Sequence, residues 1–529
     1  MGGRWLLLAS LPLVVAGISD RVWAQTDGEA LLSARCAACH ERTADGGLAR
    51  IKDQRKTPEA WDMTIVRMMQ LHGVEVTDDE RSVLVKHLGD TQGLAPAETE
   101  GYRYILERVP SEFEEPPTDE LGAMCARCHS WARVALQRRT EEEWRKLAHF
   151  HLGQYPTTEY QALGRDRNWW EIASDELPPD LASRFPLETP EWSAWQDREP
   201  ADLSGRWRFV GRDPGAGDYE GVATIESTGD DTYSVTLEST YPDGQQIQGE
   251  GSAIVYTGFE WRSRIRFGED ETLQVFAVSE GGDTMTGRSF LAAADAIGSR
   301  VTAVRMADGT SAVLAASPSH LRAGETAEIA IHGIGLDGDV SLGDGVTVED
   351  VVSHDAETVV VRASADANAA NGARTVSVGD TDADGLLTVY QAIDSLTVEP
   401  PYNIARVGGG GGPIPPVPAQ FEAIAWLKGP DGQAGTDDDV EIGPMPAKWT
   451  VENFNEVAAE LDDAAFTGEM QANGLFLPAE AGLNPERPFQ TNNAGNLKVI
   501  ATVEDDGQTV SGEGQLLVTV QRWNDPPIR

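Results

Sequence analysis

Two pentapeptides, Cys36-Ala37-Ala38-Cys39-His40 and Cys125-Ala126-Arg127-Cys128-His129, share the pattern Cys-x-x-Cys-His. Together they contain all four cysteines of the 529-residue chain. In this pattern two thiols one helical turn apart reach the two vinyl groups of a porphyrin, and the adjacent histidine lies under the iron as its proximal ligand. The sequence therefore predicts two covalently attached c-type haems.

Other readings of these cysteines fit the sequence less well. A four-cysteine zinc site usually has some 15–20 residues between its two pairs, whereas Cys39 and Cys125 are separated by most of a small domain. Thioredoxin-like pairs need a βαβ setting, and the flanking sequence here has a helical pattern. Haem attachment is thus the favoured interpretation.

A similar helix start follows each motif. Thr57-Pro58-Glu59-Ala60-Trp61 follows the first motif, and Thr140-Glu141-Glu142-Glu143-Trp144 follows the second. Thr57 can cap a helix that has Pro58 at its first position, and Thr140 with Glu143 has the pattern of a capping box. The chain therefore contains an internal repeat, with one haem unit in each copy.

The repeat also suggests the distal iron ligands, which are usually methionine or histidine. Met68 and His151 each stand seven residues after the tryptophan of their copy. Seven residues are close to two helical turns, so tryptophan and ligand share one helix face. We predict His40 with Met68 at the first iron and His129 with His151 at the second.

Neighbouring side chains compete for these roles. His72 is an alternative at the first iron and His149 at the second, and the methionines around Met68 also suit a packed helix. After the second motif no methionine occurs before Met285, which favours two histidines there. Methionine ligation raises a haem potential relative to bis-histidine ligation. We therefore expect a two-centre electron conduit with a potential step.

The N-terminus predicts export. Residues 1–24 read as a signal peptide: Arg4 precedes a short apolar run, and Val22-Trp23-Ala24 fits the cleavage site. We find no other apolar stretch long enough to span a bilayer. The mature chain is expected to be soluble and periplasmic.

The charge balance excludes two classes of partner. The chain has 42 basic and 86 acidic residues, a formal charge of −44. Such a field repels nucleic acid and anionic membranes, so neither is expected as a partner. It favours a basic partner or the basic face of a redox carrier.

Hydrophobic patterning divides the mature chain into four domains. An all-α diheme cytochrome c domain is predicted at 25–200, with haem units at about 25–110 and 111–200. It is followed by three all-β domains: an antiparallel barrel at 201–308, an immunoglobulin-like sandwich at 309–396 and a second immunoglobulin-like domain at 397–529. Helices at Asp78–Leu88 and within 156–171 are expected to close the two haem units.

Two acidic loops have compositions that suggest calcium sites. The segment 380–385 begins like an EF-hand loop, but Gln391 stands where a bidentate glutamate is required. The segment 431–439 is rich in Asp and Gly without a fixed ligand pattern. Solvated turns are the favoured interpretation of both loops.

The whole layout resembles the large, haem-bearing alpha subunit of quinohemoprotein amine dehydrogenase. The paired haem motifs carry the resemblance, together with residues 61–73 (WDMTIVRMMQLHG), 151–156 (HLGQYP) and 159–167 (EYQALGRDR). The diheme domain followed by three β domains adds to it.

The resemblance implies a heterotrimer. It would join this chain to a β-propeller subunit and to a small subunit that carries a cysteine tryptophylquinone. Primary amines would be oxidised to aldehyde and ammonia at that quinone, and electrons would leave through the two haems to an external cytochrome c or blue-copper protein. A cysteine tryptophylquinone consumes a cysteine, and all four here are assigned to haem, so the quinone is expected on another chain.

Other functions remain open at this point. The chain could be a diheme cytochrome c subunit of another periplasmic dehydrogenase, or a diheme peroxidase with one exchangeable iron site. A secreted binding protein with redox-sensing haems is a further alternative. No Ser/His/Asp set or phosphate-binding loop was found that would favour a different chemistry.

Overall fold

The computed structural model describes residues 27–109, 111–412 and 414–521. The predicted signal peptide, residues 1–24, lies outside the described residues. None of the described helices is long and apolar enough to cross a membrane.

Residues 27–196 form a mainly helical region that contains one small sheet. The helices are α1 (Gly28–Cys36), α2 (Pro58–His72), α3 (Asp78–Thr91), α4 (Pro96–Thr99), α5 (Asp119–Cys125), α6 (Ala132–Ala135), α7 (Glu141–Gln154), α8 (Thr158–Ala162), α9 (Trp169–Glu171), α10 (Leu177–Arg184) and α11 (Pro190–Gln196). The strands are β1 (Gln54–Lys56) and β2 (Gln137–Arg139). The prediction of an all-α domain missed this sheet.

The helix starts follow the predicted caps with one exception. The Thr57 hydroxyl accepts from the Ala60 amide, with Pro58 at the first helical position. The Thr140 hydroxyl accepts from the Glu143 amide at 3.2 Å. The Glu143 carboxylate, however, pairs with arginine and lysine side chains instead of returning to Thr140. Only half of the predicted capping box forms there.

The small sheet shows that the sequence repeat is also a structural repeat. Strands β1 and β2 pair antiparallel, and they lead into α2 and α7. In the first copy the Lys56 ammonium lies 4.1 Å from the Trp61 ring centroid. In the second copy the Arg139 guanidinium lies 5.6 Å from the Trp144 ring centroid. Each copy thus stacks a buried basic side chain on the tryptophan of its own helix.

A buried carboxylate joins the two copies. Glu98, on α4, accepts from both arms of the Arg55 guanidinium at 2.8 and 2.9 Å and from Nε of Arg138 at 2.9 Å. All three side chains are buried. Burial alone would raise the pKa of the Glu98 carboxyl, but the hydrogen bond from Arg55 and the two positive charges outweigh it and lower that pKa. Glu98 is therefore ionised and shared by the two strands.

The second haem unit is closed by a helix other than the expected one. In the first unit α3 packs against α2, and it begins with the predicted capping box of Thr77 and Glu80. In the second unit the region 156–171 holds only the short helices α8 and α9. The hydrophobic cluster around Trp144 is completed by Leu177 and Leu181 of α10.

The next domain is the predicted antiparallel barrel. Its eight strands close on themselves in the order β10-β3-β4-β5-β6-β7-β8-β9. They are β3 (Gly205–Asp213), β4 (Gly217–Gly229), β5 (Thr232–Thr240), β6 (Gln246–Tyr256), β7 (Glu260–Phe267), β8 (Asp270–Val278), β9 (Thr284–Leu291) and β10 (Ala294–Arg305).

The third domain has two four-stranded sheets, β11-β13-β16-β15 and β12-β18-β17-β14. Both contribute to one hydrophobic core, as expected for a β-sandwich. Its strands are β11 (Ala312–Ser317), β12 (His320–Arg322), β13 (Thr326–Ile334), β14 (Val340–Ser341), β15 (Val346–His354), β16 (Thr358–Ala365), β17 (Gly372–Val378) and β18 (Thr381–Tyr390).

The C-terminal domain is more complex than a two-sheet sandwich, because it has three sheets and two short helices. Its elements are β19 (Ser395–Glu399), β20 (Tyr402–Arg406), β21 (Ala419–Gln420), β22 (Glu422–Leu427), β23 (Val440–Pro444), β24 (Lys448–Asn453), α12 (Glu456–Glu460), α13 (Asp463–Phe466), β25 (Gly468–Met470), β26 (Leu475–Pro478), β27 (Gly495–Asp505) and β28 (Gln508–Thr519).

A tight turn of the barrel is inserted into the helical region. Thr257, between β6 and β7, is buried and has a φ of 56°, a conformation that β-branched residues rarely adopt. Its amide donates to the Asp90 carboxylate at 2.8 Å and its hydroxyl to the Gly89 carbonyl at 3.0 Å. The Trp195 indole donates to its carbonyl at 2.7 Å. These three hydrogen bonds hold the strained turn.

An ion cluster strengthens the same interface. Glu260 of β7 is buried and pairs with Arg103 at 2.7 Å and with Arg262 at 2.8 Å. Arg262 in turn pairs with Glu59 of α2 at 2.6 Å. Burial tends to raise the pKa of the Glu260 carboxyl, but the two arginines lower it on balance. The barrel and the helical region are therefore joined by desolvated charges as well as hydrogen bonds.

Replacing the shared carboxylate should weaken the helical region. Glu98→Gln leaves two buried guanidiniums without their counter-charge, so we expect a loss of about 3–5 kcal/mol in the free energy of unfolding of this region. Because the folded-state pKa of Glu98 is lowered, its contribution is present at neutral pH and is lost as the pH falls through the carboxyl range. Hydrogen exchange of residues 54–56 and 137–139 measures the local effect.

Glu100→Gln is the matched control, since Glu100 is exposed on the same segment. It should change stability by less than about 0.5 kcal/mol. Equal protection of the two strands in both variants would contradict a structural role for Glu98.

Candidate functional site

The first cysteine motif stands at the end of a capped helix. The Asp27 carboxylate accepts from the Glu29 amide at 3.0 Å at the start of α1. At its end, the amides of Cys39 and His40 donate to the Cys36 carbonyl at 3.1 and 2.9 Å. This tight turn groups the two thiols and the histidine at the end of α1.

The second motif also stands at the end of a capped helix. Helix α5 begins at a Thr118 cap and ends at Cys125. After His129 the chain is held by Glu114, whose carboxylate accepts from the amides of Trp131 and Ala132 at 2.6 and 3.0 Å. Glu114 lies in the segment that links the two haem units, so the linker also orders the turn behind the second histidine.

The cysteines themselves do not behave as a redox pair. None of the four forms a disulfide in the structure. Burial raises the pKa of the Cys125 thiol to about 12, and burial followed by the neighbouring Cys39 raises that of Cys36. Thioredoxin-like chemistry needs a lowered thiol pKa. The environment therefore disfavours the thioredoxin interpretation.

The histidines of both Cys-x-x-Cys-His motifs have one ring nitrogen fixed by a carbonyl. Nδ1 of His40 donates to the Ala49 carbonyl at 2.9 Å, and Nδ1 of His129 donates to the Ser130 carbonyl at 3.0 Å. A carbonyl only accepts, so the proton is on Nδ1 and the lone pair is on Nε2. Histidines that bind metals are commonly held in this way. Both residues thus fit the role of proximal haem ligands.

His151, the predicted distal ligand, has the same kind of hydrogen bond. Its Nδ1 donates to the Leu147 carbonyl at 2.7 Å, which leaves the Nε2 lone pair available. Burial lowers the pKa of both His129 and His151, and the charge of His151 adds to the lowering at His129. Both histidines are therefore favoured in the neutral form, which is the form that binds a metal.

The competing histidines occupy other surroundings. The His149 ring packs edge-on against Trp170, with centroids 4.8 Å apart. His72 is exposed in the last turn of α2. Neither has the carbonyl hydrogen bond that orients His151.

The two methionines of α2 lie in different environments. The helix runs without interruption from Pro58 to His72. Met69 packs against the hydrophobic cluster that contains Trp61 and adjoins Cys36, whereas Met68 is half-buried outside that cluster. Met69 is therefore a second candidate beside Met68, one that helical spacing alone did not favour.

Three arginines lie near enough to His151 to affect its pKa. The Arg67 guanidinium lies 4.6 Å from the Phe150 ring centroid. Arg133 donates to the Met63 sulfur at 3.0 Å, and Arg139 donates to the Gln137 side chain at 2.7 Å. Among the described residues, none of the three has a carboxylate within ion-pair distance. After burial, their charges are what lowers the pKa of His151.

Unsatisfied indole groups lie beside this cationic cluster of Arg67, Arg133 and Arg139. The Nε1 atoms of Trp131 and Trp144 are buried, and neither has a hydrogen-bond acceptor in the part of the chain that the structure describes. Both tryptophans belong to the cluster that adjoins Cys125. Buried donors of this kind are costly unless a ligand satisfies them. Together with the arginines they match the two carboxylates that a haem carries.

Sequence reasoning missed Glu98 and the cationic cluster. A usable signal was present: Gln54-Arg55-Lys56 and Gln137-Arg138-Arg139 directly precede the two helix starts. Recognised as part of the repeat, these segments would have pointed to paired basic strands.

No arrangement of three or more His, Cys, Asp or Glu side chains suited to a metal ion was found in the part of the chain that the structure describes. In the loop at 431–439, the Asp439 carboxylate accepts from the amides of Gly429 and Gly435 at 3.0 and 2.6 Å. Asp384 of the other acidic loop accepts from the Thr375 hydroxyl at 2.5 Å. Asp439 is thus used within its own loop, whereas Asp384 lies on β18 and accepts from a side chain of the neighbouring strand β17.

Family models match nearly the whole chain. The model for haem binding of quinohemoprotein amine dehydrogenase A, alpha subunit, matches residues 26–192. Models for domains II, III and IV of the same alpha subunit match residues 200–306, 310–391 and 396–528. No curated protein matches the chain.

Solved structures resemble parts of the chain only. A redesigned β-barrel bound to DFHBI is 18% identical, covering 20% of this chain and 94% of its own, with a TM-score of 0.18. A Bacteroides ovatus mixed-linkage glucan utilisation protein, in complex with a heptasaccharide, is 11% identical over 63% of this chain and 72% of its own, with a TM-score of 0.19. Likenesses this weak carry no argument about function.

Substituting the candidate distal ligands should distinguish the residues that bind iron from the neighbouring side chains. His151→Ala should convert the second haem from low-spin to high-spin iron, because the sixth ligand is lost. Met68→Ala should abolish the weak methionine-to-iron absorption near the red end of the ferric spectrum. Absorbance and electron paramagnetic resonance of the purified holoprotein measure both changes.

His149→Ala and Met69→Ala are the matched controls, and both should keep the native spectra. A high-spin signal in His149→Ala instead of His151→Ala would show that the second assignment is wrong. Loss of the red band in Met69→Ala instead of Met68→Ala would move the first assignment by one residue.

Proposed function

The chain belongs to the family of quinohemoprotein amine dehydrogenase alpha subunits, and we propose that it carries electrons through two c-type haems within a periplasmic amine dehydrogenase. The family establishes a haem-bearing subunit of an amine dehydrogenase. The number of haems, their covalent attachment and the path of the electrons are the proposal.

The observation that carries it is the repeated histidine geometry. Each Cys-x-x-Cys-His turn ends in a histidine whose Nδ1 is bound to a carbonyl and whose Nε2 can bind iron. Bound haem supplies reversible one-electron transfer between ferric and ferrous iron. The chain's own residues anchor the porphyrin edge through thiols, fix the imidazole orientation and shield the distal side.

The location of amine oxidation follows from the cysteines. A cysteine tryptophylquinone requires a cysteine, and all four here are assigned to haem. The quinone is therefore placed on a small partner subunit, with a β-propeller subunit completing a heterotrimer, as the resemblance implies. Oxidation of one primary amine to aldehyde and ammonia releases two electrons, which matches the capacity of two haems.

The acceptor is proposed to be an external cytochrome c or blue-copper protein in the periplasm. The formal charge of −44 supports a carrier with a basic docking face. The proposed ligand sets, one with methionine and one with two histidines, supply a potential difference along the chain.

Purification of the complex from its native host tests this function. The expected result is a heterotrimer in which a small chain gives a positive quinone stain and this chain carries two haem masses. Adding n-butylamine should then reduce the haems, as followed by visible absorbance, because electrons pass from the quinone to this chain.

The N,N-dimethyl derivative of butylamine is the matched control, since a tertiary amine cannot condense with the quinone carbonyl, and the haems should stay oxidised. Co-purification with a dehydrogenase that lacks a quinone would instead support another periplasmic dehydrogenase. A second iron that binds carbon monoxide without losing a ligand would favour a peroxidase.

The cationic cluster should set the potential of the second haem. Burial lowers the pKa of Arg139 to about 10, so it stays charged at neutral pH. A positive charge favours ferrous iron, and one charge at about 10 Å contributes roughly 1–2 kcal/mol at an effective dielectric constant of about 20. Arg139→Gln should therefore lower the potential of the second haem by about 59 mV, a tenfold change in the ferrous-to-ferric ratio.

Redox titration of the holoprotein measures this shift. Arg165→Gln is the matched control, because Arg165 is exposed and its charge is screened by solvent. Its potentials should equal those of the native protein. An unchanged second potential in Arg139→Gln would contradict a role for the cluster.

A further inference from the structure

The barrel formed by β3–β10 encloses a cavity of about 270 Å³. An eight-stranded barrel is wide enough either to be filled by its own side chains or to hold one small ligand. The base of this barrel is packed by large side chains, among them Trp207 and Trp261. The cavity lies above them and extends to the strand ends at Asp213 and Asp270.

The cavity stays open because aromatic rings lie along its wall. Phe209 stands opposite Gly221 on the neighbouring strand, and Phe276 stands opposite Gly287. A Cβ atom added at Gly221 would lie 2.5 Å from the Phe209 ring, and one at Gly287 would lie 2.8 Å from the Phe276 ring. The rings therefore occupy the space of the missing glycine side chains.

Two further pairs extend the same pattern. A Cβ at Gly211 would meet the Tyr219 ring at 2.5 Å, and one at Gly249 would meet the Phe267 ring at 2.5 Å. All four aromatic residues of these pairs line the cavity. Rings that lie flat over glycine do not cross the lumen, so the wall presents aromatic surface to whatever is inside.

The polar groups of the lining are few and uncharged, apart from the rim. Asp213 and Asp270 are the only charged residues of the lining, and they stand at the end of β3 and the start of β8. Asp213 already accepts a hydrogen bond from Tyr241. An ion placed deeper would lose its hydration without a counter-charge. The interior thus selects an uncharged molecule.

One lining group points to a hydrogen-bonding ligand. Gln274 lines the cavity, its carbonyl oxygen accepts from the Ser263 hydroxyl at 2.6 Å, and its amide nitrogen remains as a donor. The Ser239 and Ser289 hydroxyls of the lining can donate as well, so a ligand that carries an acceptor matches all three side chains.

We propose that the barrel binds one small, planar, uncharged aromatic molecule that carries a carbonyl-type acceptor. Flat aromatic walls favour a planar ring system through stacking and edge contacts. A volume of 270 Å³ is just below the range of about 300–1,000 Å³ typical of small-molecule sites, which limits the ligand to about two fused rings. This site is separate from the haem region and does not depend on the proposed function.

Isothermal titration calorimetry of the full-length holoprotein with methyl naphthyl ketone tests the proposal. The expected result is saturable binding of one ketone per chain. Ethylnaphthalene has nearly the same shape without the acceptor and should bind about tenfold more weakly, which corresponds to one lost hydrogen bond. Absence of saturable heat with the ketone would overturn the proposal.

Two variants test whether the ligand binds inside the barrel. Ser239→Phe adds a ring from a buried position of the lining and should abolish binding. Thr236→Phe, at an exposed position of the same strand, is the matched control and should bind like the native protein. Ketone binding that survives Ser239→Phe unchanged would show that the ligand is elsewhere.

A second variant covers the case in which Ser239→Phe does not fold, as judged by circular dichroism. Gln274→Leu keeps a side chain of similar size and removes the amide donor of the lining. It should weaken ketone binding about tenfold and leave ethylnaphthalene binding unchanged. Equal effects on the two probes would contradict the assigned hydrogen bond.

Discussion

The carboxylate of Glu98 is the interaction on which the arrangement of the two copies of the helical repeat depends. Three residue pairs between β1 and β2 are too few to fix two helical units against each other. Arg55 and Arg138, one from each strand, are both buried and would be destabilising without a counter-charge. The Glu98 carboxylate between them joins the two strands and also supplies the missing counter-charge. The relative position of the two Cys-x-x-Cys-His motifs therefore depends on the Glu98 carboxylate that both strands share.

Local features of the helical region could be predicted from the sequence, because their causes lie within a few residues. A cap at Thr57 and a capping box at Thr77 involve neighbours three positions away, and a haem motif spans five. Glu98 lies 43 residues from Arg55 and 40 from Arg138, and no local pattern announces that contact. Strands of three residues are likewise too short for an alternating pattern. The helix that closes the second unit, α10, was missed for another reason. Proline usually marks a break in a helix, but the prolines of α10 stand in its first turn, where proline is tolerated.

Charge is distributed unevenly across the molecule. The chain as a whole is strongly acidic, yet the surroundings of His151 contain three arginines and no paired carboxylate among the described residues. An acidic exterior suits long-range attraction of a basic carrier. A cationic interior suits retention of a group that bears carboxylates. The two requirements are met by placing opposite charges at different depths of one chain, which composition alone does not reveal.

The turn at Thr257 has a consequence for how this protein can change over evolutionary time. Hairpin tips on a barrel usually tolerate insertions and deletions because they face water. This tip is buried in the helical region, and its amide, hydroxyl and carbonyl are all bound there. A change in the length of this hairpin would disrupt the contact between two domains. A change in an exposed hairpin would alter only the surface. Length variation among related chains should therefore be concentrated in other hairpins of the barrel, and this one should keep its size.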